Sequence, residues 1–146
     1  MPSQTPLAPF YHPVRVRFAD TDLQGHAFFG SYYTYMDEGF LACIRELGCS
    51  WQTLGAMNRE IVYVDSGCRF TGRCYFEDSL RVHTAITRIG TTSLTAEMVI
   101  VRSHDESTVA NGFITGVVVN RKTGKPAPVP AILREAAQVS TGGGRQ

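Results

Sequence analysis

The chain has 146 residues, a formal net charge of +1, and a composition that is 43% hydrophobic and 18% charged. That length suits a single domain with a core of its own. A charge so close to balance provides no long-range field for a nucleic acid or a membrane surface, and the charge-free stretch from Asn111 to Asn120 is far short of the ~18 apolar residues that a bilayer span needs.

The opening MPSQTPLAPF has neither a basic n-region nor an apolar h-region, so no secretory signal is expected and a cytoplasmic location is. The expected organisation is one domain over 11–139, between a loose Pro-rich segment 1–10 and a loose Gly-rich tail 140–146. Val14, Val16 and Phe18 alternate with Arg15 and Arg17, which predicts a half-buried strand ending at the turn formers Asp-Thr-Asp-Leu-Gln-Gly. Apolar residues then recur at 29, 32, 33, 36, 40, 41, 44 and 47, one face of a helix that Gly48 would stop in the left-handed conformation.

Beyond Asn58 the pattern changes to strands. Ile61 to Phe76 reads as one long bent strand with Gly67 and Gly72 as bulge points. Leu80–Ile89, Ser93–Arg102 and Val109–Asn120 follow with short connections, which predicts an antiparallel meander. Val129-Pro130 would open a short last helix. A lone apolar helix must be covered, so the expected class is α+β, a curved antiparallel sheet wrapped around one central helix. Its open edges favour pairing with a second copy.

Cysteines stand at 43, 49, 68 and 74, without a Cys-x-x-Cys pair or zinc-ligand spacing. They read as reduced core residues, Cys43 in the helix and Cys68 and Cys74 in a strand. His83 and His104 read as a surface strand residue and a turn residue, and Asp37 and Glu38 as solvated or helix-pairing acids.

The Asp-Thr-Asp stretch invites several chemistries. A calcium loop starting at Asp20 would need a bidentate glutamate at its twelfth position, where this chain has Ser31. A turn needs only that each aspartate bond its own backbone, which suits Asp20. Asp22 stands just before the helix, beside Phe28 and Phe29. Free backbone amides at that helix start, around Phe29, would polarise a carbonyl, and the adjoining carboxylate would attack it or activate water against it. An Asp22/His26 dyad for hydrating an enoyl double bond is a rival, as is a purely structural turn histidine. No serine or cysteine occupies a Gly-x-Ser-x-Gly elbow.

The segment VRFADTDLQGHAFFGSYYTYMDEGF resembles the opening motif of hotdog-fold acyl-CoA thioesterases, in particular the 4-hydroxybenzoyl-CoA thioesterase branch. SLRVHTAITRIGTTSL is similar to that family's second-half strand pair and TGKPAPVPAILRE to its closing segment. The resemblance implies that Asp22 is the catalytic carboxylate, as nucleophile or general base, and that the Phe29 backbone amide contacts the thioester carbonyl. It implies an acyl-CoA substrate bound by His26, Phe28, Tyr63 and Val64, with Arg88, Gly90, Thr91 and Thr92 as the turn that meets coenzyme A phosphates. Only Arg88 is charged in that turn, which points to a small or medium acyl-CoA rather than hydroxybenzoyl-CoA. Arg69 and Arg73 read equally as solvent-facing or as phosphate contacts.

No metal or other cofactor is implied, coenzyme A being part of the substrate. A homodimer or homotetramer with sites near the subunit interface is implied, with no nucleic-acid or membrane partner. A non-catalytic hotdog protein that binds acyl groups or carrier proteins, and the hydratase, stay open as alternatives.

Overall fold

A long helix with aromatic side chains on one face has to be buried. In the computed structural model, which describes residues 6–142 and side chains as far as 137, one sheet buries it. Helix α1 spans Phe29–Glu46, about 27 Å. The strands are β1 (Tyr11–Arg15), β2 (Arg59–Phe70), β3 (Ser79–Ile89), β4 (Ser93–Arg102) and β5 (Ser107–Asn120). All pair antiparallel, in the spatial order β1-β3-β4-β5-β2. Tyr35, Met36, Phe40 and Ile44 of α1 pack with Leu80, Val82, Met98, Ile100 and Ile114 of the sheet in one buried core. A Cβ at Gly39 would lie 2.5 Å from Val82 Cγ1, so only glycine lets the helix approach β3 this closely. This is the hotdog fold, and α1 ends as its sequence indicates, with Gly48 at φ +95°.

Three sequence-level expectations are corrected. The strands after α1 do not form one meander: β3, β4 and β5 do, but β2 lies against β5 at the far edge. The segment after β2 does not turn back as a hairpin. It pairs with the loop before α1, through the His26–Tyr75 bridge and the Ala27 amide on the Cys74 carbonyl at 2.8 Å. Second, β2 stops at Phe70, so Cys74 is a buried loop residue rather than a strand residue. The register shift falls at Val64, between Tyr63 and Asp65, whereas Gly67 pairs regularly with Phe113. Third, the first strand ends at Arg15 because Phe18–Asp20 form a 3-10 turn, which leaves Phe18 77% exposed despite the alternation.

The helical face also differs from its sequence reading. Phe29 is 61% exposed and Tyr33 exposed, while Tyr35 is buried; Cys43 is buried as its core reading expects. Helix α2 (Trp51–Ala56) has too few turns to show a period; Ser50 caps it by accepting the Thr53 amide at 3.1 Å. Helix α3 (Ala131–Gly142) follows Pro130 and is tied to the β3–β4 turn where Arg134 Nη2 donates to the Gly90 carbonyl at 2.7 Å.

Of the ends set apart as loose, residues 1–5 and 143–146 lie outside the described residues. Between them, Phe10 packs on the core and α3 passes position 139. His83 is buried rather than at the surface: its Nδ1 donates to the Ala8 carbonyl at 2.7 Å and its Nε2 accepts from Arg81 Nε at 3.2 Å. The cysteines are all free, Cys68 half-buried and the others buried. Burial pushes the Cys43 and Cys68 thiols up to about 11.

Candidate active site

The turn between the 3-10 segment and α1 holds two aspartates in opposite environments. Asp20 is buried and saturated. Its Oδ2 accepts the Arg17 amide at 2.9 Å and the Tyr35 hydroxyl at 2.9 Å, and its Oδ1 accepts Arg17 Nη2 at 3.0 Å. Burial pushes this carboxyl upward, but the Arg17 amide and guanidinium and the Tyr35 hydroxyl together hold it below its ordinary value. The Asp20 carbonyl in turn accepts the Phe28 amide and Ser31 Oγ, each at 2.8 Å. Asp20 is therefore the knot that ties the turn to the helix start.

Asp22 sits on the loop so tied. Its Oδ1 accepts the Gln24 amide at 2.8 Å, its own amide donates to the His26 carbonyl at 3.1 Å, and Gly25 closes the turn at φ +86°. Among the described residues Oδ2 has no partner, so one carboxylate oxygen is held and the other is available. Helix α1 starts at Phe29 with Phe28 in the N-cap position and no capping side chain. The Ser31 amide bonds to the Phe28 carbonyl at 2.8 Å, while the amides of Phe29 and Gly30 have no acceptor among the described residues. A helix N-terminus left open in this way attracts negative charge.

Asp22 and Phe29 line one cleft of about 430 Å³, together with His26, Tyr32, Phe70 and Arg73. The far wall is aromatic: the Phe70 ring meets Phe29 edge-on at 6.3 Å and Tyr32 at 5.3 Å. His26 Nδ1 lies 3.2 Å from the Ala27 carbonyl and the ring stands edge-on to Tyr75 at 6.1 Å. No hydrogen bond joins the His26 ring to the Asp22 carboxylate among the described residues. A carboxylate beside unsatisfied amides, with an apolar wall, can add or activate a nucleophile at a carbonyl while its developing oxyanion is stabilised.

The structure gathers Asp22, His26 and Phe29 and leaves the other sequence-derived site residues elsewhere in the chain. The Phe28 ring meets Phe29 at 4.7 Å, tilted by 55°, outside the cleft lining. The Tyr63 hydroxyl donates to Asp37 Oδ1 at 2.5 Å across a separate hollow, and Val64 is 58% exposed on the edge strand. Arg88 faces the outer groove of the sheet with Arg69, Asp65 and Glu97. Gly90, Thr91 and Thr92 form the turn at the far end of β3, a strand roughly 33 Å long, and none of the three lines the cleft. Sequence reading missed Tyr32 and Phe70 as cleft walls, because both look like ordinary core residues. The one available signal was the aromatic spacing at the start of α1.

The profile of the thioesterase-like superfamily matches residues 16–137. The chain belongs to the thioesterase-like superfamily. Thioester hydrolysis is the activity this membership assigns to it. Among solved structures, a thioesterase-superfamily protein from Jannaschia sp. CCS1 is 27% identical, with 94% of this chain and 97% of that one covered at a TM-score of 0.84. A gentisyl-coenzyme A thioesterase is 26% identical, with 88% and 98% covered at a TM-score of 0.77. An Aquifex aeolicus relative is 24% identical over 127 residues, 87% of this chain and 96% of its own. The matched span of the superfamily starts at Val16, so it includes the aspartate turn, the helix start and the Phe70–Arg73 wall.

Proposed function

We propose that this member of the superfamily hydrolyses a small or medium acyl-CoA to the free acid and coenzyme A, with Asp22 as the catalytic carboxylate. One observation carries the reading: a carboxylate with one oxygen unpaired and the helix-start residue Phe29, whose amide has no acceptor among the described residues, line the same aromatic-walled cleft. The thioester carbonyl accepts from the Phe29 and Gly30 amides, which makes its carbon electron-poor. Asp22 then takes a proton from water as the hydroxide adds, the tetrahedral oxyanion is held by the amides, and collapse expels the thiolate, which recovers the proton. In the covalent variant the carboxylate itself adds, coenzyme A leaves, and water cleaves the mixed anhydride. Either route needs the charge at position 22. The gentisyl-coenzyme A thioesterase among the neighbours supports the choice of a coenzyme A thioester.

Asp22→Asn keeps the shape and removes the charge. Thiol release from a panel of acyl-CoAs is expected to fall at least about 100-fold, with an unchanged melting temperature. Hydrolysis within a few-fold of the native rate would overturn the assignment. If enoyl-CoA is consumed instead without thiol release, the hydratase reading replaces it, against the missing contact between Asp22 and His26.

Leu23, Phe28, Phe29 and Phe70 around the cleft are exposed in the single chain, as are Val62, Tyr63 and Val64 on the edge strand β2. Apolar surface so placed supports a homo-oligomer whose second copy lies beside the site. Tyr63 and Val64 would then reach the acyl pocket of the neighbouring copy.

A further inference from the structure

Coenzyme A carries its charge at the end remote from the thioester, so a chain that holds the carbonyl at Phe29 must meet those phosphates where the cleft opens to solvent. Arg73 is exposed there, and no other lysine or arginine lines the cleft among the described residues. Its guanidinium has no acceptor among the described residues. In particular it makes no ion pair with Asp22, the one acid of the lining. The arginines around it are committed otherwise: Arg17 to Asp20, Arg81 to Glu106, and Arg102 to Asp105 at 3.0 and 3.1 Å. Arg69, only four positions earlier, points to the outer groove instead.

The backbone that presents Arg73 is fixed from three sides. The Thr71 and Gly72 amides both donate to the Val109 carbonyl, at 2.9 and 3.0 Å, and Thr71 Oγ1 donates to the Thr108 carbonyl at 3.1 Å. A Cβ on Gly72 would come within 3.2 Å of that Thr108 oxygen, so the loop lies tight on β5. The Arg73 carbonyl accepts from Arg102 Nη1, whose guanidinium Asp105 holds in place. The pinned main chain presents an uncommitted guanidinium from a fixed point, and a free guanidinium fork suits a phosphate.

The turn that resemblance assigns to the phosphates does not line this cleft: Gly90, Thr91 and Thr92 follow the far end of β3, where the Gly90 amide donates to the Ser93 carbonyl at 2.7 Å.

We propose that Arg73 is the phosphate-binding residue of this cleft, engaging coenzyme A from the loop between β2 and β3. The inference rests on the thioesterase reading for its choice of ligand. Its test does not depend on turnover. Binding of free coenzyme A is measured by titration calorimetry at low ionic strength for the native protein, Arg73→Gln, Arg73→Lys and Arg45→Gln, a control on the last turn of α1.

Arg73→Gln is expected to weaken coenzyme A binding about ten-fold, Arg73→Lys to recover part of the loss, and Arg45→Gln to change nothing. The loss is expected to shrink as salt is added. Native-like affinity in Arg73→Gln, an equal loss in the Arg45 control, or no coenzyme A binding by the native protein would each overturn the proposal. Thiol release from acyl-CoA separates the two readings. Release with an affinity indifferent to position 73 refutes Arg73 alone. Binding through Arg73 with no release refutes the thioesterase and leaves the phosphate site standing.

Discussion

Two aspartates of one turn differ in environment, not residue type, and only Asp22 is left with an oxygen for the chemistry proposed for it. Asp20 accepts three hydrogen bonds and is held below its ordinary value despite burial, whereas Asp22 keeps an oxygen free. A carboxyl depressed in the folded state contributes stability that is fully present above its unfolded value of about 3.9 and is lost as pH falls through the folded value. Tyr35→Phe removes one of the bonds that hold it down. It is expected to cost about 1.5–3 kcal/mol at neutral pH and to move the onset of acid unfolding to higher pH, both read by denaturant titrations across pH. Sequence alone assigned Asp20 to structure from turn propensity. It had no means of finding Tyr35, which stands on the helix beyond the turn and reaches Asp20 only when α1 docks.

Under the proposed function, the start of α1 gives up a cap to leave amides for the thioester. Most helices fill the N-cap with Ser, Thr, Asp or Asn, and this one has Phe28 with two amides left over. Phe28→Ser supplies a cap, so the helix is expected to gain up to about 1 kcal/mol, less the lost contact with Phe29, while thiol release falls because the capping oxygen occupies an amide the thioester needs. A thermal melt and a kinetic assay on the same preparation read both effects; a capped helix with native turnover would show that the amides are idle. At the same scale α2 depends on its Ser50 cap, and Ser50→Ala is expected to cost about 1 kcal/mol in chemical denaturation. The existence of α1, β3, β4 and β5 was legible because each is long enough to repeat its period. The six residues of α2 are not, and no pattern announced it.

For the whole molecule, β1 and β2 are the two sheet edges without a partner strand among the described residues, and β2 is the longer. Its ladder bonds are satisfied by β5 on one side, and Val62, Tyr63 and Val64 around the bulge are exposed. Such an edge either pairs with another copy or must be defended by charge, and the charged residues of β2, Arg59, Glu60, Asp65 and Arg69, flank Val62–Val64 without interrupting it. Replacing both Val62 and Val64 with lysine is expected to convert an oligomer to monomers in sedimentation velocity, with little change in the monomer's helix content. If the native protein already sediments as a monomer, the edge has no role in assembly.

What this sequence determined by itself is local and periodic: which segments become helix or strand, that one helix needs a sheet around it, and that an acidic turn leads into the start of that helix. Those follow from side-chain spacing and turn chemistry within a few residues. The tertiary structure decided the rest. It put β2 beside β5, moved the break from Gly67 and Gly72 to Val64, and buried Tyr35 against Asp20. It also swung residues 70–73 to the helix start, so that Phe70 and Arg73 became walls of the Asp22 cleft. The reason is that strand order and cleft walls depend on contacts between segments far apart in the chain, where many arrangements satisfy the same local pattern and only simultaneous packing around α1 selects one.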